Sequence, residues 1–270
     1  MSAPSAVAHP SYRLRTARLD RAIQATLRRN VERRLDALPW DTFDGTRLTS
    51  SSSSKIRDAF GFYLTQMYFT EASSPENLAA LSAASPVAQV QQAFAAQIQD
   101  ELAHGALLGR YVAQCVGDTH PREHFVSFVG RASGKWLQGA HPTVGAQAVT
   151  MAIEYYASNL AEALLARVDE PLLRTCLQDI LKDEHRHRVL AVESVHLLKA
   201  AGIGQGLVGR ATAALLLPLA EAWFRHVMNG TLRRRCGVLG IPFGELYERS
   251  VEAMRVDLAA CVVDDEAAVA

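Results

Sequence analysis

Gln99-Asp100-Glu101-Leu102-Ala103-His104-Gly105-Ala106-Leu107-Leu108 and Lys182-Asp183-Glu184-His185-Arg186-His187 carry one pattern twice, Asp-Glu-x-x-His. On an α-helix, positions i and i+3 share a face, so each Glu-x-x-His points a carboxylate and an imidazole the same way. Two such pairs, with one Glu from each of two further helices, make the six-ligand set of a carboxylate-bridged two-metal site. The further carboxylates are expected to be Glu71 and Glu154, each 30 residues before the Glu of its motif. If each pair is level across antiparallel helices, a turn falls halfway. The midpoints read Ser85-Pro86 and Val168-Asp169-Glu170-Pro171, and proline suits the first turn of a helix and not its interior. Each half therefore reads as a helical hairpin, and the two together as a four-helix bundle with metal between them.

The rest of the chain extends this all-α plan. Residues 1–12 are expected to be disordered, and Arg13–Leu38 to form a basic amphipathic helix with Leu14, Leu19, Ile23, Leu27, Val31 and Leu35 at helical intervals. Its arginines read as a solvated face, with a partner surface as the alternative. Thr49–Ser54 is a serine run expected to act as a mobile linker. The first ligand helix starts near Lys55, with Phe60, Leu64, Met67, Tyr68 and Glu71 on one stripe. Ser74-Pro75 is expected to kink or break it just after Glu71, with Glu76 the nearby substitute ligand. The second helix runs from about Pro86 to Cys115, with Phe94, Ile98, Glu101, Gly105, Leu108 and Val112 on one face and His104 beside it. A crossover with a short helix at 123–137 leads to a third helix near Thr143, whose inner side carries Val144, Gln147, Met151, Glu154, Ser158, Ala161 and Leu165. The fourth begins at Pro171 and turns Leu173, Leu177, Ile180, Glu184, His187, Ala191 and Val195 inward. A glycine-containing loop at 201–207 and two further helices, 207–228 and 243–263, follow. Its Gly-x-Gly-x-Gly comes after a helix, so it is no dinucleotide fingerprint. Arg233–Arg235 reads as a solvated turn, or as a docking point for an acidic electron donor. The expected divisions are 1–54, 55–200 and 201–270.

Composition narrows the function. The 28 basic and 28 acidic residues cancel, which argues against nucleic acid or an anionic membrane as partner. The cysteines, Cys115, Cys176, Cys236 and Cys261, are scattered and fit free thiols in a reducing compartment. No signal-peptide core stands in residues 1–12, and the longest apolar run, 211–220, falls short of the ~20 residues of a membrane span. A cytoplasmic location is the expectation.

A carboxylate on an apolar stripe is costly unless it is paired or holds a cation. One Glu-x-x-His is weak; two, each with its upstream Glu and midpoint proline, point to metal. Glu101 and Glu184 are expected to bridge, with Glu71 and His104 on one metal and Glu154 and His187 on the other. Asp100 and Asp183 point about 100° away from the ligands. They read equally as acceptors for the ligand histidines across the bundle and as surface ion pairs with Arg186 or Arg188. His185 reads as exposed or as an outer partner of the ligands. Ala103 and Gly105 leave room for O2 or substrate, or serve helix packing. Thr150, Tyr155 and Tyr156 lie near the site, with core packing set against a radical or proton-relay role. An oxygen-rich set with two imidazoles suits iron or manganese better than zinc or copper. Iron held this way reacts with O2, each metal supplying electrons.

These residues resemble the ferritin-like di-iron carboxylate superfamily, whose signature Glu…Glu-x-x-His…Glu…Glu-x-x-His is matched over about residues 55–200. Locally they look like the metal-binding helices of acyl-carrier-protein desaturases. In plan they are similar to aldehyde-deformylating oxygenases and to the p-aminobenzoate N-oxygenase group, which has a further histidine where this chain has Ile180. The resemblance implies a ferritin-like four-helix bundle with an N-terminal helix and additional C-terminal helices. It implies two Fe ions, with Mn as the alternative, on Glu71, Glu101, His104, Glu154, Glu184 and His187. The activity implied is an O2-dependent oxygenase, hydroxylase, N-oxygenase or desaturase acting on a small-molecule or carrier-bound substrate. Without a flavin, haem or iron–sulfur motif, an external electron donor such as ferredoxin is expected. A homodimer is the oligomer considered. The alternatives are a ferroxidase or iron store, and a metal-free helical interaction module.

Overall fold

The computed structural model describes residues 10–32, 38–44, 48, 53–117, 144–203 and 231–262; these are all-helical, with no strand among them. The helices are α1 (Pro10–Glu32), α2 (Ser54–Ala84), α3 (Ala88–Tyr111, continued by a π-helical turn Val112–Val116), α4 (Val144–Leu165), α5 (Pro171–Ala200), α6 (Thr231–Val238) and α7 (Phe243–Val262). The expected helices at 123–137 and 207–228, and most of the serine run, lie outside the described residues. Among the described residues no helix is long and apolar enough to cross a membrane.

The two turns form where proline was placed. Ser85 closes α2, its N–H bonding Leu81 O at 3.1 Å, and Pro86 keeps the chain extended before α3 starts at Ala88. At the second turn Glu170 caps α5: its carboxylate accepts from the backbone N–H of Leu172 at 3.1 Å and of Leu173 at 2.6 Å, with Pro171 in the first helical turn. The Tyr111 hydroxyl adds a third bond to it at 3.1 Å, which satisfies a fully buried acid at a helix N-terminus. The end of the serine run has a structural task too, because Ser53 Oγ accepts from Ile56 N at the start of α2.

α2 packs along α3 and α4 along α5; α3 and α5 touch each other, α1 lies on both, α6 rests on α2 and α7 on α4. Among the described residues the apolar side chains form two separate cores. One joins Phe60, Leu64 and Met67 of α2 to Leu107 and Leu108 of α3, Leu160 and Leu164 of α4, and Leu173, Leu177 and Ile180 of α5. The other joins Leu19 and Ile23 of α1 to Leu78 and Leu81, Val90 and Phe94, and Leu190 and Leu197. In α2, α3 and α5 the chain passes from one core to the other through Glu71, through Glu101 and His104, and through Glu184 and His187. The polar residues thus form a layer between two dry ones.

Three expectations need correction. α2 does not break at Pro75; it runs unbroken to Ala84. Proline removes only one helical bond, the one to the carbonyl of Glu71, and burial of Met67 before and Leu78 and Leu81 after it holds the helix across the gap. The hydroxyls of Ser73 and Ser74 also fold back onto Thr70 O at 3.0 and 3.1 Å. Second, α1 buries Leu19, Ile23 and Thr26, while Leu14, Leu27 and Val31 are exposed. Steps of four residues drift about 40° each on a helix, so the expected apolar row winds off the contact face. Arg13, Arg18, Arg21 and Arg28 are exposed, as expected of a solvated face, but Arg15 and Arg29 fall on the contact face, Arg15 meeting Glu193 at 3.3 Å and Arg29 pairing with Asp179. Third, Arg233–Arg235 lies in α6, not in a turn; Arg235 pairs with Asp58 and stacks over Phe62.

Gly105 serves close packing, its Cα facing the backbone of Ala72 on α2. A Cβ there would meet Ala72 Cα at 3.6 Å, an ordinary contact, and alanine is the better helix residue. Gly105→Ala is therefore expected to stabilise the chain by about 0.5–1 kcal/mol in chemical denaturation; a loss of stability would contradict this spacing. One turn on, a Cβ at Gly109 would come within 2.9 Å of the Tyr68 ring, so that ring must give way to any side chain.

Candidate metal centre

All six expected ligands are buried, and the structure brings them together. Glu71, Glu101 and His104 form one group whose ligand atoms lie within 4.8 Å of one another, and Glu101, Glu154 and His187 form a second. Glu101 belongs to both. Glu184 reaches both histidines, 3.7 Å from His104 Nδ1 and 4.0 Å from His187 Nδ1. The imidazole centres are 5.8 Å apart. Glu76 and His185 are exposed and stay outside the cluster.

The two aspartates cross over. Asp183 on α5 holds His104 of α3, with Nε2 to Oδ2 at 3.0 Å, and Asp100 on α3 holds His187 of α5 at 3.1 Å. Each Asp precedes a ligand Glu and so faces the opposite helix. An Nε2–H donated to a carboxylate leaves Nδ1 facing the glutamates: His104 Nδ1 is 3.2 Å from Glu71, and His187 Nδ1 is 3.2 Å from Glu101. Arg186 pairs with Asp183 and comes within 3.8 Å of Asp100, so both aspartates accept from a histidine and also face a cation, but both are fully buried and not on the surface. Arg188 joins neither.

Two residues of this cluster were not foreseen. Gln97, one turn before Glu101, is buried and donates to Glu101 Oε1 at 3.1 Å and to Glu154 Oε1 at 2.9 Å, fixing two carboxylates with one amide. A polar residue between Phe94 and Glu101 at i−4 was the available signal. Arg29 of α1 reaches Asp183 at 3.5 Å, which only the drift of the α1 stripe could have shown.

Burial dominates the electrostatics. It raises the pKa of Glu71, and those of Glu101 and Glu184 well above the carboxylate range, with neighbouring carboxylates adding to the rise in both. Burial acts upward on Glu154 also, but its interactions with Glu184 and His187 outweigh it and bring the value to about 2. Burial pulls His104 down to about 4. It opposes charge on His187, yet Glu101, Asp100 and Glu154 together raise that pKa well above the imidazole range. Without a cation, the cluster therefore retains protons among its carboxylates.

Two atoms mark what is missing from this balance. His187 Nδ1 and Glu184 Oε2 are buried and form no hydrogen bond, although such groups are normally satisfied. Four carboxylates and two imidazoles, each imidazole backed by an aspartate, form a donor set that two divalent cations would neutralise.

Comparison with protein-family models, with curated proteins and with solved structures finds no match. The functional reading therefore rests on these side chains. Tyr155 is buried and Tyr156 partly so, while the Thr150 side chain lies outside the described part.

Proposed function

We propose that α2–α5 are a ferritin-like four-helix bundle, that the cluster holds two iron ions, and that the chain is an O2-dependent oxidoreductase. The substrate would be a small organic molecule, free or carrier-bound, and electrons would come from a separate donor protein. The observation that carries this reading is the sharing of Glu101 between two donor groups, each with its own imidazole. The two buried atoms without a hydrogen bond, His187 Nδ1 and Glu184 Oε2, support it.

Glu71, Glu101 and His104 would hold one ion and Glu101, Glu154 and His187 the other, with Glu184 facing both. Iron bound there supplies the electrons that reduce O2. The chain's own residues prepare the place. Asp183 and Asp100 keep the proton on each Nε2, so that both Nδ1 atoms face inward with a lone pair once the inner proton leaves. Gln97 fixes the facing oxygens of Glu101 and Glu154. The two apolar cores exclude water from the layer between them, which strengthens every charge interaction inside it.

Loading the chain with ferrous iron under argon and then admitting O2 tests the reading. Two irons per chain, with reductant consumed only when an oxidisable substrate is present, is the expected result. Far more iron per chain in a large cage would mean a store; no stoichiometric metal would mean an interaction module. The aspartates offer a finer check. Asp183→Asn is expected to lower metal affinity about 10- to 100-fold, measured by competition with a chelating dye, while the helix content in circular dichroism stays unchanged.

A further inference from the structure

One half-buried arginine next to the centre forms no close ion pair among the described residues. Among the described residues, the other half-buried arginines, Arg15, Arg29, Arg167, Arg174, Arg186 and Arg235, each meet a carboxylate or a carbonyl. Arg188 is equally half-buried and makes no hydrogen bond or ion pair, and its Nε is enclosed without a partner. Its guanidinium lies 4.0 Å from the centre of the Tyr155 ring, a cation–π stack that fixes its direction without using its N–H groups. The Tyr155 residue is 1% exposed, and its hydroxyl also has no partner. A buried phenol normally finds a hydrogen bond. Two unused donors, one of them cationic, thus stand on one stacked pair. Glu162, two turns beyond Tyr155 on α4, is the carboxylate whose charge acts on Arg188, but its close ion pair is with Arg249 at 3.1 Å.

We infer that Arg188 and Tyr155 anchor the carboxylate head of an anionic substrate, a specificity site that rests on the proposed function for its purpose. Tyr155 directly follows Glu154 and Arg188 directly follows His187, so a head group held by the pair keeps the rest of its molecule beside the metal centre. The guanidinium N–H groups and the phenol O–H are the donors the pair offers to the two oxygens of a carboxylate. A phosphate dianion would call for more donors than this pair presents.

Titration calorimetry of the full chain with octanoate, and with octanamide as the uncharged control, tests the anchor on metal-free and metal-loaded protein. Saturable octanoate binding, with octanamide at least about tenfold weaker, is the expected result. Arg188→Met is expected to weaken octanoate about 10- to 100-fold. Arg188→Lys should restore part of that loss, and Tyr155→Phe, which keeps the ring under the guanidinium, should cost about fivefold. Equal affinity in wild type and Arg188→Met, as for an anion bound directly to metal, would overturn the anchor, as would an absence of binding in wild type. Metal content measured on the same samples separates the two claims. Two metals per chain with octanoate indifferent to Arg188 removes the anchor alone. Octanoate binding through Arg188 with no stoichiometric metal removes the metal centre alone.

Discussion

Glu101→Ala is expected to take the chain from two bound metal ions to none. Among the described residues Glu101 is the one side chain common to both donor groups, so its loss leaves each group one carboxylate and one imidazole of its own, with Glu184 alone between them. Loss of an outer partner of a metal ligand typically costs about 10- to 100-fold in affinity, and loss of a shared ligand should exceed that at both positions. The same change should not harm the metal-free fold as loss of a core side chain would. Burial raises the Glu101 pKa well above the usual range, so its ionised form is costly there. Glu101→Gln, which keeps the shape and removes the charge, is expected to melt above the metal-free wild type at pH 8. Leu108→Ala, in the adjoining core, should lower stability by about 2–5 kcal/mol. Metal analysis with thermal melts of the three variants checks both halves. Two ions retained in Glu101→Ala, or a lower metal-free melting temperature for Glu101→Gln, would contradict the assignment.

The metal-free protein should lose stability as pH rises above about 6.5, and bound metal should reverse that slope. Glu71, Glu101, Glu184 and His187 all have pKa values raised in the folded chain. A group with a raised folded pKa stabilises fully below its unfolded value, and that contribution disappears as pH climbs through the folded value. For the glutamates the decline begins near the unfolded carboxylate value, and for His187 near pH 6.5. His104, lowered to about 4, and Glu154, lowered to about 2, have the opposite sign, but their effect is complete by about pH 6.5. Above that point the groups raised furthest, Glu101, Glu184 and His187, set the slope. A fall in melting temperature of about 5–10 °C between pH 6.5 and 9 is the expected scale. Cations replace those protons, so metal binding should release them and strengthen with pH. Differential scanning calorimetry across this range, with and without manganese, reads both slopes. A metal-free protein that grows more stable from pH 6.5 to 9 would contradict the account.

The helical plan and its two turns were legible because they depend on local chemistry. Proline at 86 and 171 cannot continue a helix, and the Glu-x-x-His spacing sets which side chains share a face. The crossed Asp–His bonds were legible as one of two options, since a residue next to an inward ligand must face a neighbouring helix. What escaped depends on tertiary packing. Pro75 reads in the sequence as a kink or a break because its lost bond is local, while the burial that keeps α2 continuous comes from the helices packed on it. Arg235 was read as solvated because Asp58, its partner, lies 177 positions away. Arg29 and Gln97 carry no motif; they reach Asp183, Glu101 and Glu154 only because α1 sits on α5 and α3 lies close to α4.

The most direct test of the central claim is anomalous X-ray scattering at the iron edge from crystals grown with ferrous iron under argon. Two peaks, both within bonding distance of Glu101, with His104 on one and His187 on the other, are the expected result. A single peak, peaks elsewhere on the chain, or density at Glu101 without an anomalous signal would contradict it.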